Sequence, residues 1–322
     1  MLTAISHKTK QFSLVLIKIG LVVAAFYFIY TKLFHNRDLH FDEFIQNLMN
    51  FSAISANTIL ILLFLSIFNW FLEILKWQTL VDCITEISFN DAAAQTLGAL
   101  TASLLTPNRI GDYGAKAIYY QALQRKKIVL LNLIGNSAQM AITTIFGTFG
   151  FAYVALRFQP ELNYNGLFIG LGLLGFIATF LIWILKTDGF KKQKKLLYKQ
   201  LDFLKNISKN SLFKIILFSL VRYLIFSFQF YYLLYLFGIE MNYFEAMVFI
   251  SSMYLLSSII PSIFIFDVII KGGVAIYLFG LIGVPEAIIL SIVTLMWILN
   301  FVLPSVIGSY HVLNFKLPKT VS

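Results

Sequence analysis

Cysteine is nearly missing from this chain: Cys83 stands alone among 322 residues. One cysteine excludes a disulfide framework and a thiolate metal cluster. Histidine is also scarce, and His7, His35, His40 and His311 lie far apart near segment ends, so no metal constellation is expected. Charge is the third shortage. Asp, Glu, Lys and Arg make up 12% of the residues, where an ordinary soluble domain carries roughly 25%. That leaves too little polar surface to cover a soluble protein of this length. No DxD or Walker sequence occurs, so neither a bound metal nor a nucleotide cofactor is expected.

What fills the chain instead is apolar. Hydrophobic residues make up 59% and the mean hydropathy is +0.81. Apolar runs long enough to cross a bilayer recur from end to end, and they do not alternate as barrel strands would. The expected class is an all-α polytopic helical membrane protein forming a single integral membrane domain over 1–322. The formal net charge of +10 sits mostly in loops, where it sets topology and meets anionic headgroups; nucleic acid is not an expected partner. The first apolar run lacks a small-residue cleavage pattern behind it and reads as a retained anchor.

Six full spans are expected, over residues 13–30, 57–75, 128–154, 165–185, 211–237 and 285–309. Lys18 can snorkel from the first. The mixed-charge segment 31–50 carries apolar residues at helical spacing and suits an interfacial helix. The second span ends with Trp70, Glu73, Lys76 and Trp77, and its tryptophans suit an aromatic belt at the membrane surface.

Two stretches do not read as spans. Residues 89–123 form two short apolar arms around PNRIGDYG, which holds Pro107, Arg109, Gly111, Asp112 and Gly114, with Lys116 close behind. The first arm is rich in Ala, Gly and Ser, which permit close helix contact. Proline stops a helix and glycine loosens one. Broken helix at membrane depth survives only against protein or a wet cavity, and charge there marks function. The expected form is a re-entrant helical hairpin whose second arm reaches about Gln124, closed by Arg125, Lys126 and Lys127; two thin full spans are the competing form. Residues 244–279 repeat this plan around PSIFIFDVIIKGG, with Pro261, Asp267, Lys271, Gly272 and Gly273. In both breaks a proline precedes an aspartate, and a lysine follows that aspartate by four positions.

Two further features are polar where lipid would not tolerate it. Asn132, Asn136, Gln139 and Thr143 share one face of the third span, either as interhelical glue or as a cavity wall. Arg222 lies too deep in its span for easy snorkelling, with Gln229 and Ser219 near the same side; it faces a polar interior or a structural ion pair.

The basic segments fix an expected topology. Residues 186–210 carry eight lysines against Asp188 and Asp202 and belong in the cytoplasm. With both termini cytoplasmic, every basic cluster falls on that side. Residues 57–154 and 211–309 then form inverted-repeat-like halves whose hairpins dip from opposite faces. Re-entrant and spanning arms satisfy the charge rule equally.

With these motifs in place, the chain resembles the lysylphosphatidylglycerol synthase transmembrane region, a flippase-like integral membrane family, in its stand-alone form without a synthase domain. The family signature of Pro, Arg, Gly-Glu and a following Arg stands here as Pro107, Arg109, Gly111, Asp112 and Lys116. The second motif is represented by Pro261 and Asp267, without the family's Gly-rich turn. The resemblance runs over about residues 10–310 and implies transport-like handling of a lipid in a bacterial inner membrane, with no aminoacylation of its own.

A translocator must carry a polar headgroup past hydrocarbon. Arg109 and Lys116 suit phosphate, Arg as the bidentate fork, and Arg222 adds a third cation. Asp112 and Asp267 can balance those cations, bind a cationic headgroup or carry a proton. Asn136 and Gln139 belong near the wall. The expected substrate is a membrane phospholipid or lipid-linked compound, with a lipid-modifying enzyme as a possible partner. Two other classes stay open: an accessory scaffold, for which these charges only pin the hairpins as ion pairs, and a membrane-embedded lipid-modifying enzyme.

Overall fold

A computed structural model of the chain describes residues 15–20, 22–24, 27, 30–31, 55–104, 106, 110–158, 203, 207–259 and 267–318, with side chains in the last segment from 271 onward. The regular structure there is helical. Nine helices follow in order: α1 (Ala56–Val81), α2 (Phe89–Ser103), α3 (Gly111–Ala117), α4 (Ala122–Phe158), α5 (Lys209–Leu236), α6 (Tyr243–Ile259), α7 (Asp267–Gly280), α8 (Glu286–Trp297) and α9 (Leu303–Asn314). A short π-helical turn, Ile298–Val302, joins the last two. Among the described residues, four stretches are long and apolar enough to cross a membrane: α1, α4, α5 and the continuous Glu286–Asn314. Val15–Ala24 and α6 are shorter apolar helices. The chain is a multi-pass membrane protein. Of the expected spans, 165–185 and most of the lysine-rich loop lie outside the described residues, as does the segment 32–54.

Local chemistry explains several helix starts. Ser55, Ser88 and Ser208 each cap a helix in extended backbone, their hydroxyls accepting from Thr58, Asp91 and Ser211 N–H. Elsewhere the boundaries differ from expectation. α4 begins at Ala122 and not near 128, because Leu, Gln, Arg and Lys propagate a helix well and nothing between breaks it. Arg125, Lys126 and Lys127 therefore ride on its first turns. The second arm of the first hairpin is only seven residues long, so it ends before Gln124. Beyond it the Tyr119 hydroxyl donates to Ala94 O at 3.2 Å and the Tyr120 hydroxyl to Gln95 Oε1 at 2.7 Å. These bonds bring the chain back alongside the first half of α2. At about 1.5 Å per residue, α3 covers roughly 10 Å, a third of a bilayer core.

Trp70 and Trp77 form no surface belt. Trp77 is 1% exposed, and its indole N–H donates to Gln95 Oε1 at 2.8 Å. Trp70 is buried too, and its indole donates to Asn300 O at 3.1 Å. That carbonyl is available for a local reason. Pro304, four residues on, has no N–H to give it. The π turn at Ile298–Val302 accommodates the misfit, and Trp70 supplies the donor from another helix.

The helices pair in a crossed pattern: α1 lies against α5, α2 against α9, and α4 against α6. Two of these seams depend on glycine. A Cβ on Gly308 of α9 would stand 2.1 Å from Leu97 O and 2.3 Å from Thr101 Oγ1 on α2. A Cβ on Gly150 of α4 would stand 2.2 Å from Ser251 Oγ and 2.7 Å from Val248 O on α6. The largest apolar core is mostly in the second half, where the Phe279 ring lies 5.7 Å from both Phe230, which it stacks on, and Phe249, to which it is tilted. A smaller one surrounds Trp77, Leu80, Ile128 and Leu131.

Candidate functional site

Between α1, α3, α4 and α5 lies a cavity of about 470 Å³, within the usual range for small-ligand sites. Five charged side chains line it, Glu73, Lys76, Asp112, Lys116 and Arg222, together with the phenol of Tyr113. Trp70, Thr96, Asn136 and Gln139 complete its polar and aromatic wall, with Leu133 and Met140 on the apolar side. Three helix-spacing rules produce this. Trp70, Glu73 and Lys76 follow one another by three on α1; Asp112 and Lys116 stand four apart on α3; Asn136 and Gln139 stand three apart on α4.

The charges fall into two groups. In the first, Lys116 Nζ contacts Asp112 Oδ2 at 3.2 Å and donates to Asn132 Oδ1 at 2.9 Å, while Asn132 Nδ2 donates to Asp112 Oδ2 at 2.6 Å. The triangle ties α3 to α4 and is buried, with Lys116 at 2% exposure and its ammonium 4.4 Å from the Trp77 ring centre. In the second, Glu73 Oε2 meets Lys76 Nζ at 2.7 Å and also Arg222 Nη1. Arg222 Nε donates to Asn69 O and Oδ1, each at 3.1 Å, and Nη1 reaches Gln139 Oε1 at 3.4 Å. Nearby, Asn136 Nδ2 donates to the Tyr113 hydroxyl at 3.0 Å. Thr96 is 2% exposed, and its hydroxyl has no hydrogen-bond partner among the described residues.

From Arg222 a polar chain continues away from the cavity. Asn69 Nδ2 donates to Asn300 Oδ1 at 3.1 Å, Asn300 Nδ2 to Gln229 Oε1 at 2.9 Å, and Gln229 Nε2 to Ser66 Oγ at 2.8 Å. Asn300 thus joins α1, α5 and the π turn. Asn300→Ala is expected to lower stability by about 2–3 kcal/mol, since it strands the amides of Asn69 and Gln229 in the interior. A thermal-unfolding comparison of the purified proteins in detergent measures this.

Of the residues singled out in the sequence, Asp112, Lys116, Arg222, Asn136 and Gln139 come together around this cavity. Asp112 pairs with Lys116 and not with Arg222. Pro107, Arg109 and Pro261 lie outside the described residues, and so does the side chain of Asp267, whose backbone opens α7. Lys271 is not at the cavity; its ammonium stands 5.6 Å from the Phe301 ring centre. Gly111 sits close under Thr106, whose Oγ1 accepts from its N–H at 2.8 Å. Gly114 lies inside α3, and Gly272 and Gly273 lie inside α7. Sequence reasoning passed over Glu73 and Lys76 as the edge of a span. Their signal was an acid and a base three apart within an apolar run. Among the described residues, no group of three His, Cys, Asp or Glu is placed to hold a metal ion.

Comparison with known proteins adds one positive result. The profile of the lysylphosphatidylglycerol synthase TM region matches residues 15–308. No curated protein and no solved structure matches the chain.

Proposed function

We propose a lipid-handling function for this chain, which belongs to the lysylphosphatidylglycerol synthase TM region family. The polar headgroup of a phospholipid or lipid-linked substrate enters the cavity between α1, α3, α4 and α5 while its tails stay in hydrocarbon, and the protein moves it between leaflets. One observation carries this reading. In a chain with 12% charged residues, three cations and two carboxylates from three helices line one cavity. Arg222, Lys116 and Arg109, which precedes Lys116 by seven residues in sequence, are the phosphate-binding candidates; Asp112, Asn136, Gln139 and Asp267 complete the proposed site.

The architecture proposed with it is a pair of inverted halves, 57–154 and 211–309, each a span, a re-entrant hairpin and a second span. The return of Tyr119 and Tyr120 to the first half of α2 supports the re-entrant form of the first hairpin. The crossed pairing of α2 with α9 and of α6 with α4 supports an exchange of hairpin arms between halves. The proposed location is a bacterial inner membrane with both termini and residues 186–210 cytoplasmic. A cysteine placed at Lys194 in a Cys83→Ser background is expected to resist membrane-impermeant thiol reagents in intact cells and to react after lysis. Labelling from outside reverses the topology.

A second reading, an accessory membrane scaffold, draws on one observation: Lys76, Lys116 and Arg222 each already hold an internal carboxylate. Reconstitution separates the two. Proteoliposomes with a panel of headgroup-labelled lipids are expected to exchange at least one lipid between leaflets faster than empty liposomes. No exchange of any lipid, with or without an ion gradient, leaves the scaffold.

A further inference from the structure

The two carboxylates of the cavity are held differently. Asp112 is locked into a triangle by a lysine on its own helix, whose ammonium lies over the Trp77 ring, and by an amide from α4. Glu73 is a cross-link: one oxygen, Oε2, takes both Lys76 from α1 and Arg222 from α5. A carboxylate between an ammonium and a guanidinium presents what a phosphate diester presents, one negative charge shared over oxygens that a guanidinium fork can grip.

Resting on the lipid-headgroup reading above, we infer that Glu73 is a resident counter-ion, and that a monoanionic phosphodiester binds by taking Arg222 and Lys76 from it. The charge count favours this class of ligand. Among the described residues, Lys76, Lys116 and Arg222 against Glu73 and Asp112 leave the cavity lining one positive charge in excess. A monoanion brings these five groups to neutrality, which lowers the cost of holding charge away from bulk water. A zwitterionic headgroup leaves the excess in place. The Thr96 hydroxyl, buried at the cavity wall without a partner among the described residues, is a donor for a phosphate oxygen. Glu73 acts here as a competitor, so removing it strengthens binding, whereas a purely structural tie would weaken it.

Native mass spectrometry of the detergent-solubilised full chain tests this. The probes are dioctanoyl phosphatidylglycerol, dioctanoyl phosphatidylcholine and tail-less glycerophosphoglycerol. Glu73→Gln is expected to bind phosphatidylglycerol about tenfold tighter than wild type, the scale of a close ion-pair coupling. Lys76→Gln, which leaves Glu73 wholly on Arg222, binds it more weakly. The double variant E73Q/K76Q decides the matter. Its formal cavity charge equals that of wild type, so a simple charge rule gives equal affinity, whereas release of Arg222 gives tighter binding. A double variant no tighter than wild type overturns the counter-ion role. Should the glutamine variants not fold, Glu73→Asp draws the carboxylate back by one methylene; a smaller tightening supports the role, and unchanged or weaker binding overturns it. Glycerophosphoglycerol following the same variant order places recognition in the phosphate; failing to follow it while phosphatidylglycerol does makes the acyl chains part of the ligand, and either pattern supports the exchange. If phosphatidylglycerol binds no better than phosphatidylcholine in every protein, the cavity reading falls together with this one. If the preference stands and the variant order fails, only the counter-ion role falls.

Discussion

Gly308→Ala is expected to destabilise the protein by about 3 kcal/mol or more, lowering the melting temperature in detergent by roughly 5–10 °C. The added methyl has nowhere to go. It would lie 2.1 Å from Leu97 O and 2.7 Å from Leu97 C, which are backbone atoms of α2 and cannot rotate aside. Relief requires α2 and α9 to separate, and the Thr101 hydroxyl then loses the Ser305 carbonyl it reaches at 2.9 Å. In a membrane, close backbone approach and such interhelical hydrogen bonds do much of what apolar burial does in water. Gly273→Ala is the matched control: a Cβ there meets nothing within 4 Å, so alanine should be neutral or stabilise α7 slightly through its better helix propensity. Equal melting temperatures for G308A and wild type would show that the α2–α9 seam is looser than described.

Arg222→Gln is the second large effect. Leaflet exchange in proteoliposomes holding equal amounts of folded protein should fall by about two orders of magnitude. Three losses combine. The guanidinium fork disappears, Asn69 O and Oδ1 lose their donor, and Glu73 is left to Lys76 alone. The remaining Glu73–Lys76 pair is balanced, so the variant should still fold. Arg222→Lys restores charge without the fork and should recover only part of the exchange. Lys116→Gln behaves in the opposite way. It strips Asp112 of its cation inside a buried triangle, so stability falls first, and the folded fraction loses less exchange than R222Q does. Exchange by R222Q at the wild-type rate would remove Arg222 from any headgroup site.

Much of this site was legible before any coordinates. The 101–120 stretch announces a broken helix through Pro107, Gly111 and Asp112, and Lys116 follows Asp112 at the spacing of one helical face. Asn132, Asn136 and Gln139 on α4 each found a different polar partner, as a stripe that avoids lipid must. Arg222 stood too deep in its span for easy snorkelling. Glu73 and Lys76 were harder to read, because an acid, a base and two tryptophans at the end of an apolar run also describe a membrane surface. Only the fold-back of α2 and α3 over that end turns it into interior. Asn300 was hidden for another reason. Its role depends on helix phase, and the π turn near Pro304 shifts that phase by an amount that periodicity does not reveal. The two breaks look alike in sequence, yet Lys116 faces the cavity and Lys271 lies by Phe301. Their shared spacing records a shared helix face, and the neighbouring helix decides what that face meets.

The seat of α2 on α9 also sets an order of assembly. Thr101 and the Ser305 carbonyl that it contacts are 204 residues apart, so the ribosome finishes the first hairpin long before its partner helix exists. Until then α2 lacks the helix it approaches most closely, and the hairpin rests on α1 through Trp77 and Gln95 and on α4 through Lys116 and Asn132. The nascent chain must wait with its ion-bearing segment partly seated, and translation of α9 completes the first half. A chain stopped before Leu303 would therefore lose more than its last helix: the hairpin that supplies Asp112 and Lys116, made near the start of synthesis, would lose the α9 side of its dock.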